Sequence, residues 1–162
     1  MDNIKIFSLN TRGTLKNYDK IKMEIINNDI ILLQEQHIDI KGNIIKRFEE
    51  DIRCHVFYTT NDINKLSIIT LIKKDFCEAK MQKEILIEGR ALNLIINIKG
   101  KKYNIINVYA PAKQNERLSF YAKLKDKLQL KHNIIIGGDL NVILGKEDTN
   151  GTIIEKNYMK FV

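Results

Sequence analysis

Residues 133–141 read NIIIGGDLN, a run of isoleucines that ends in two glycines, an acid and an amide. The isoleucines are typical of a strand, and the switch to polar residues marks where that strand ends. Gly137 and Gly138 permit backbone angles closed to other residues, and they let a second backbone or a phosphate come close. Asp139 and Asn141 are two residues apart, so they point the same way in an extended chain. The stretch therefore predicts a strand that ends in a polar cluster.

This cluster has two interpretations. A carboxylate can accept a proton from water and an amide can donate to a phosphate oxygen, so Asp139 and Asn141 suit a phosphate site. The same sequence, Gly-Gly-Asp-x-Asn, is also typical of turns, and taken alone it favours an Asx turn. The polar residues at other strand ends bear on the choice.

Three other strand ends carry polar residues of the same kind. Asn10 follows IKIFSL, Glu35 follows DIILLQ, and Tyr109 closes IINVY. A strand holds its terminal side chain in a defined place, and several strand ends at one edge of a sheet can converge on a single site. Glu35 is either a charge at a helix start or a ligand for Mg²⁺, which takes one or two protein carboxylates. Together these strand ends favour one shared site.

Hydrophobic periodicity predicts an α/β fold. The short glycine-bearing connection KGKK predicts an antiparallel hairpin between the two strands that it joins. The elements together predict a mixed, mainly antiparallel sheet with helices on one face. The predicted strands cover residues 3–9, 29–34, 54–59, 66–72, 90–98, 103–110 and 133–138, and the predicted helices cover residues 18–28, 43–52 and 116–130.

Length and composition limit the classes of protein to consider. The chain has 162 residues, so residues 1–162 are expected to form one domain rather than two. A net charge of +7 favours nucleic acid or an anionic membrane surface as partner, although ordinary solvated lysine faces explain it equally well. Cys54 and Cys77 are too few for a disulfide framework or a zinc site. No signal-peptide pattern is present and no apolar run approaches about 20 residues, so a soluble intracellular protein without a membrane partner is expected.

Five short motifs occur in a fixed order along the chain: SLNTRG, LLQEQH, EGR, NVYAPA and GGDLNVIL. In this order and spacing the chain resembles the endonuclease/exonuclease/phosphatase superfamily, the fold of deoxyribonuclease I and apurinic-site endonucleases. Within that superfamily it looks most like the endonuclease domains of non-LTR (LINE-type) retrotransposon reverse-transcriptase proteins. The resemblance spans residues 4 to about 150. Each motif is short, and their order makes the resemblance specific.

The resemblance implies a metal-assisted hydrolysis of DNA phosphodiesters. Glu35 would bind the catalytic Mg²⁺, with Mn²⁺ as an alternative ion, and Asn10 would help place the metal or the scissile phosphate. Asp139 would orient or deprotonate the attacking water, and Asn141 would hold the phosphate beside it. DNA would be the partner, and a full-length relative would carry a downstream reverse-transcriptase domain. The nucleus is then one possible location.

Two further residues carry roles by resemblance alone. Tyr109 would form a hydrogen bond toward the phosphate, although an aromatic cap on the core explains it equally well. Arg90 would bind substrate, although the GR pair of the family is also explained as a structural feature.

The chain departs from the family pattern in two places. Ser67, in SIITL at 67–71, stands where the family usually has glycine. The family also continues with a further aspartate and a Ser-Asp-His triplet, whereas this sequence ends at Val162. The expected domain is therefore incomplete, about the N-terminal two-thirds of a four-layer α/β/β/α sandwich, with an apolar sheet face left uncovered and little or no nuclease activity.

Two other functions remain open. The superfamily includes phosphoesterases that act on phosphoinositides or sphingolipids, and the basic charge fits those substrates as well. The third possibility is a non-catalytic module that binds nucleic acid. The motifs NVYAPA and GGDLNVIL favour nucleic acid as the substrate.

Overall fold

The computed structural model describes residues 3–39, 43–61, 65–77, 80–128 and 133–142. Each predicted element is present in these ranges, with ends that move by up to a few residues. A short 3-10 turn at Thr14–Asn17 leads into the first helix. The strands are β1 (Ile6–Asn10), β2 (Ile30–Asp39), β3 (Cys54–Thr60), β4 (Lys65–Lys73), β5 (Gln82–Ile87), β6 (Ala91–Ile98), β7 (Lys101–Tyr109) and β8 (Asn133–Asp139), and the helices are α1 (Tyr18–Asn27), α2 (Ile44–Glu50) and α3 (Gln114–Lys127).

The strands form two four-stranded sheets, in the orders β1-β2-β4-β3 and β5-β6-β7-β8. The pairs β1–β2 and β7–β8 are parallel, and the other neighbouring strands are antiparallel. The predicted mixed, mainly antiparallel α/β fold is therefore confirmed, with its strands divided between two sheets. Each sheet has its parallel pair at one edge.

The sequence did not predict β5. Its residues QKEILI place polar side chains at half of the positions, and only Leu86 is buried. Because β5 is an edge strand of its sheet, it can form with few buried side chains. Its sequence therefore lacks the apolar alternation by which a strand is recognised.

The two sheets pack face to face around a core that includes Ile30, Leu32 and Ile72 from one sheet and Leu94 and Ile105 from the other. The inner sheet faces thus cover each other, and within the described residues the uncovered apolar surface expected from the sequence is limited to part of β8. On β8, Ile134 and Ile136 remain about half exposed, at 47% and 46%.

Helices cover the outer face of each sheet. The buried residues Ile21 of α1 and Phe48 of α2 pack with Leu33 and Leu71 on the first sheet. On the second sheet, Phe120 and Leu124 of α3 share a core cluster with Ile106 and Val108 of β7. The order of layers is therefore helix, sheet, sheet, helix. No helix in the described ranges is long and apolar enough to cross a membrane.

The predicted hairpin joins β6 to β7. Ile98 pairs with Lys101, so Lys99 and Gly100 form a two-residue turn, with φ angles of 50° and 80°. Positive φ at both central residues is the geometry of a type I′ turn, whose twist matches that of the flanking strands. The hairpin prediction is confirmed.

Cys54 is expected to resist alkylation in the folded protein. It is fully buried, and burial raises the pKa of its thiol to about 11. At pH 8 its thiolate fraction is then roughly a hundredfold below that of an exposed thiol, so iodoacetamide is expected to modify it at least that much more slowly. Mass spectrometry of a Cys77→Ser variant measures Cys54 alone. Equal rates in buffer and in guanidinium chloride would contradict the expectation.

Candidate active site

The topology places four strand ends together. In the parallel pair β1–β2, Asn10 lies beside Gln34, and in the parallel pair β7–β8, Tyr109 lies beside Asp139. Parallel neighbours end at the same edge of their sheet, and the face-to-face packing of the sheets brings the two edges together. The predicted convergence of polar strand ends is therefore present in the structure.

Asn10 and Asp139 meet across the two sheets. The Asn10 Nδ2 donates a hydrogen bond to the Asp139 Oδ2 at 2.7 Å, although the residues are far apart in sequence. The backbone N–H of Arg12 donates to the Asn10 Oδ1 at 3.1 Å, which fixes the side-chain amide with its nitrogen toward the carboxylate. In this arrangement Asn10 acts as a hydrogen-bond donor to an acid.

Glu35 and Tyr109 form the second contact across the sheets. The Tyr109 hydroxyl donates to the Glu35 Oε1 at 2.6 Å. Burial disfavours the charged carboxylate, but hydrogen bonds from Tyr109 and Asn10, with the charges of His37 and Arg12, outweigh it and hold the pKa of Glu35 below its ordinary value. Glu35 is therefore charged at neutral pH, as a ligand for a cation must be.

Glu35 lies inside β2 rather than after it, which corrects the predicted end of that strand. The pairing with β4 shifts between Gln34 and Ile38, and both Glu35 and His37 have positive φ angles, 56° and 50°. Non-glycine residues rarely adopt this conformation, and such outliers persist only where the surroundings hold them. The bulge therefore needs an explanation in its neighbours.

Thr11 and Gln36 hold this bulge. The Thr11 hydroxyl donates to the Gln34 carbonyl at 3.0 Å, and the Gln36 Nε2 donates to the Thr11 Oγ1 at 3.1 Å. The backbone N–H of Gly13 donates to the Glu35 carbonyl at 2.9 Å. Both Thr11 and Gln36 are buried, at 3% and 0% exposure. Sequence reasoning missed them, since their polar side chains give no signal of burial.

Arg90 lies against Tyr109. Its guanidinium carbon is 4.7 Å from the centre of the Tyr109 ring, and its Nη1 is 3.5 Å from the Tyr109 carbonyl oxygen. The backbone N–H of Tyr109 donates to the Arg90 carbonyl at 2.8 Å. Burial and the hydrogen bond to Glu35 raise the pKa of Tyr109 to about 12, so its hydroxyl remains a donor at neutral pH. The structure thus places Arg90, the predicted substrate-binding residue, beside the contact between Tyr109 and Glu35.

The loop after β8 forms the Asx turn that its sequence predicts. The backbone N–H of Asn141 donates to the Asp139 Oδ1 at 3.0 Å, which is the predicted Asx turn. The Asn141 Nδ2 donates to the Ala110 carbonyl at 2.8 Å, so it ties this loop to the end of β7. From α3, Arg117 donates to the Asn141 carbonyl and Tyr121 to the Leu140 carbonyl. The turn is real, and it holds Asp139 at the shared site.

The donor set fits a hard divalent cation. Glu35 and Asp139 present carboxylate oxygens, which Mg²⁺ prefers, and Mg²⁺ takes only one or two protein carboxylates. The Asn10 oxygen accepts from the Arg12 N–H, so Asn10 contributes a hydrogen bond to Asp139 here. Among the described residues no group of three or more His, Cys, Asp and Glu could hold a metal ion, so a transition-metal site of that kind is not found there. His37 is exposed on β2, and His132 lies outside the described residues.

No protein-family model matches the chain. Among curated proteins, the chain is 32% identical over 98 residues to the Transposon TX1 uncharacterized 149 kDa protein of Xenopus laevis. That match covers 59% of this chain and 8% of the transposon protein. The similarity is therefore confined to a small part of the longer protein.

Solved structures show the fold. An AP endonuclease from Archaeoglobus fulgidus superimposes with a TM-score of 0.69 at 17% identity, covering 92% of this chain and 62% of that one. The 3′ phosphatase NExo from Neisseria, bound to a product DNA hairpin, gives 0.67 at 14%, covering 90% and 61%. The endonuclease domain of TRAS1, a telomere-specific non-LTR retrotransposon, gives 0.63 at 13%, covering 86% and 61%.

These likenesses define the class of fold. The chain has the endonuclease/exonuclease/phosphatase fold, also called the deoxyribonuclease I-like fold, as its motifs predicted. It spans about three-fifths of the length of these structural neighbours. Identities below 20% establish the fold rather than the reaction.

Proposed function

We propose that this chain carries part of the active site of a Mg²⁺-dependent enzyme that hydrolyses phosphodiester bonds in DNA. One observation carries the proposal: Asn10, Glu35, Tyr109 and Asp139 come from four strands of two sheets and meet in two direct hydrogen bonds. Buried or half-buried acids with directed partners at strand ends are typical of catalytic sites.

Each residue has a task that its contacts support. Asp139, held by the Asn10 amide and by the Asn141 N–H, would accept a proton from the attacking water. Glu35 would hold Mg²⁺, and Asn10 lies next to it; the ion would neutralise charge on the scissile phosphate. The Tyr109 hydroxyl orients the Glu35 carboxylate.

Two residues would bind the phosphate itself. Arg90 would hold a phosphate oxygen, since its guanidinium is fixed against Tyr109 and guanidinium–phosphate hydrogen bonds are strong. Asn141 would contact the phosphate from the other side, which requires its Nδ2 to leave the Ala110 carbonyl.

DNA is the proposed substrate because the net charge of the chain and one of its structural neighbours both favour nucleic acid. The net charge of +7 favours a polyanion, and one structural neighbour is bound to a DNA hairpin. The similarity to a transposon protein and the structural likeness to a retrotransposon endonuclease domain support an origin in a transposon protein. A downstream reverse-transcriptase domain in a full-length relative is part of this proposal. Mn²⁺ would replace Mg²⁺, because both ions accept oxygen ligands.

Nicking of supercoiled plasmid tests the function. The assay uses micromolar protein and long incubation, so that low activity is detected. We expect Mg²⁺-dependent nicking that EDTA stops and that Glu35→Gln and Asp139→Asn each lower by about 10²-fold or more. Glu50→Gln, on the exposed face of α2, is the matched control and should nick like the wild type.

Metal binding and alternative substrates complete the test. Electron paramagnetic resonance of Mn²⁺ should show weaker binding to Glu35→Gln than to Glu50→Gln. Equal nicking by every variant would indicate a contaminating nuclease. Hydrolysis of a phosphoinositide or sphingolipid without nicking would replace DNA as the substrate. Absence of both hydrolysis and Mn²⁺ binding would overturn the proposal and favour a non-catalytic nucleic-acid-binding module.

A further inference from the structure

Ser67 occupies an irregular position in β4. In the ladder with β2, Gln34 pairs with Ile68 and Ile38 pairs with Leu66, so Ser67 falls in the gap between these pairs. The ladder with β3 has its own register shift at the same place, where Thr59 and Thr60 pair with Ile68 and Leu66. Ser67 therefore has no paired residue in either ladder of the described strands, and it lies opposite the bulge that carries Glu35.

The Ser67 side chain reaches the other sheet. Its hydroxyl donates a 2.6 Å hydrogen bond to the carbonyl oxygen of Gly89, in the turn between β5 and β6. This turn, Glu88-Gly89-Arg90, is the EGR motif of the sequence. The resemblance to the superfamily places glycine at position 67, and glycine has no hydroxyl to make this contact. The bond therefore depends on the serine hydroxyl of this chain.

Thr59 holds the other polar group of the same glycine. The Gly89 N–H donates to the Thr59 Oγ1 at 3.1 Å, and the Thr59 hydroxyl donates to the Glu88 Oε1 at 3.2 Å. Gly89 has a φ of 63°, and a Cβ there would lie 3.1 Å from the Thr60 carbonyl oxygen. Two hydroxyls of the first sheet thus fix both backbone groups of a glycine whose conformation and packing both disfavour a side chain.

Arg90 follows this glycine directly. Its backbone N–H donates to the Ile87 carbonyl at 3.0 Å, and its guanidinium lies over the Tyr109 ring. Arginine has many rotamers, so a fixed backbone restricts where its guanidinium can lie. The Ser67 bond acts on the peptide immediately before Arg90, so it restrains the backbone from which this side chain extends.

We propose that Ser67 and Thr59 are positioning residues that clamp the Glu88-Gly89-Arg90 turn and so hold the Arg90 guanidinium over Tyr109. The clamp joins the two sheets at the point where one carries Glu35 and the other carries Arg90. Its catalytic meaning rests on the proposed function, in which Arg90 binds a substrate phosphate. The position of the guanidinium is a separate claim that can be measured without substrate.

The first measurement is an NMR experiment on the Arg90 side chain. The Nε–Hε signal of Arg90, assigned by its loss in Arg90→Lys, should be displaced upfield by the ring current of Tyr109 in the wild-type chain. Ser67→Ala removes only the hydroxyl, and the signal should then move toward its random-coil position. Ser67→Thr restores a hydroxyl and should recover the displacement. Should Ser67→Ala not fold, Ser67→Gly has the residue usual in the resembling family and replaces it.

The matched control is Ser119→Ala. The Ser119 hydroxyl also donates to a backbone carbonyl, that of Glu116 at 3.0 Å, but on the exposed side of α3. This variant should leave the Arg90 signal unchanged. An Arg90 signal that keeps its displacement in the folded Ser67→Ala or Ser67→Gly variant would overturn the clamp.

Binding to DNA separates the clamp from the proposed function. A fluorescent 20-base-pair duplex in EDTA should bind Ser67→Ala about 3-fold to 10-fold more weakly than wild type, the effect of losing one hydrogen bond. Ser67→Thr should restore binding. An Arg90 signal that loses its upfield displacement in Ser67→Ala, together with unchanged DNA affinity, would support the clamp and count against Arg90 as a phosphate ligand in the proposed function.

Discussion

Gly138→Ala is expected to lower the free energy of unfolding by more than about 3 kcal/mol, because overpacking and a strained backbone act together. A Cβ at this position would overlap the Val108 carbonyl oxygen and lie 2.8 Å from the Val108 nitrogen. The residue also has a φ of 134°, which side chains disfavour. Only separation of β8 from β7 relieves the overlap, and that separation moves Asp139 away from Tyr109.

Gly100→Ala is the matched control for this variant. Gly100 also has a positive φ, 80°, but a Cβ there would meet no atom within 4 Å. This variant should lower the free energy of unfolding only through its strained backbone, by about 1 kcal/mol. Urea denaturation followed by circular dichroism measures both. Similar losses for the two variants would show that φ, rather than the approach of β7, explains the glycine at 138.

Gly138 shows that one sequence motif can have two different structural causes. The sequence offered two reasons for the glycines, a close backbone or a close phosphate. For Gly138 the structure supplies the first, since the backbone of β7 occupies the space, whereas a Cβ at Gly137 would meet the Leu32 side chain. A neighbouring strand and a ligand leave the same signature in the chain, so the sequence alone could not distinguish them.

Strand ends were the most predictable part of the candidate site. Asn10 and Asp139 follow runs of apolar residues, so their places depend on local pattern and on the pairing of parallel strands. Their contact across two sheets then follows once the sheets pack. The resemblance to a known superfamily added the order of the motifs, which periodicity does not contain.

Residues that act through tertiary contacts were not predictable. The left-handed conformation of Glu35 depends on Thr11 and Gln36, whose hydrogen bonds exist only after β1 and β2 pair. Arg117 and Tyr121 hold the loop after β8 from a helix about twenty positions earlier in the chain. Nothing in the spacing of α3 distinguishes these residues from an ordinary polar or half-buried position.

Asn107→Ala is the second prediction with a large effect. Asn107 is fully buried in β7, between the two sheets. Its Nδ2 donates to the Ile69 carbonyl at 3.0 Å and to the Thr70 Oγ1 at 3.2 Å, and its Oδ1 accepts from the Gln34 Nε2 at 2.9 Å. Truncation leaves these groups without their partner inside an apolar core, so we expect a loss of about 3 kcal/mol in the free energy of unfolding.

The exposed Asn97 of β6 is the matched control. It has the same side chain in the same sheet, but it faces solvent, so Asn97→Ala should change the stability by no more than about 0.5 kcal/mol. Thermal unfolding should show the difference as a shift of roughly 6 to 12 °C between the two variants. A loss below about 1 kcal/mol for Asn107→Ala would show that water replaces the missing amide.

The pair of Asn107 and Gln34 can be tested as a unit. Asn107→Leu removes the acceptor of the Gln34 Nε2, and Gln34→Leu removes the donor to the Asn107 Oδ1, whereas the double variant removes both groups and fills the space with apolar atoms. Because an unmade buried hydrogen bond costs more than an absent pair, the double variant should be more stable than the sum of the single losses by about 1 to 2 kcal/mol. The same variants test whether the pair of Gln34 and Asn107 sets how the two sheets align. Gln34 lies next to Glu35, and Asn107 lies two residues before Tyr109. If the pair aligns the sheets, the double variant should keep its stability and still lose Mn²⁺ affinity. Additive losses, or unchanged Mn²⁺ binding in the double variant, would show that packing alone sets this alignment.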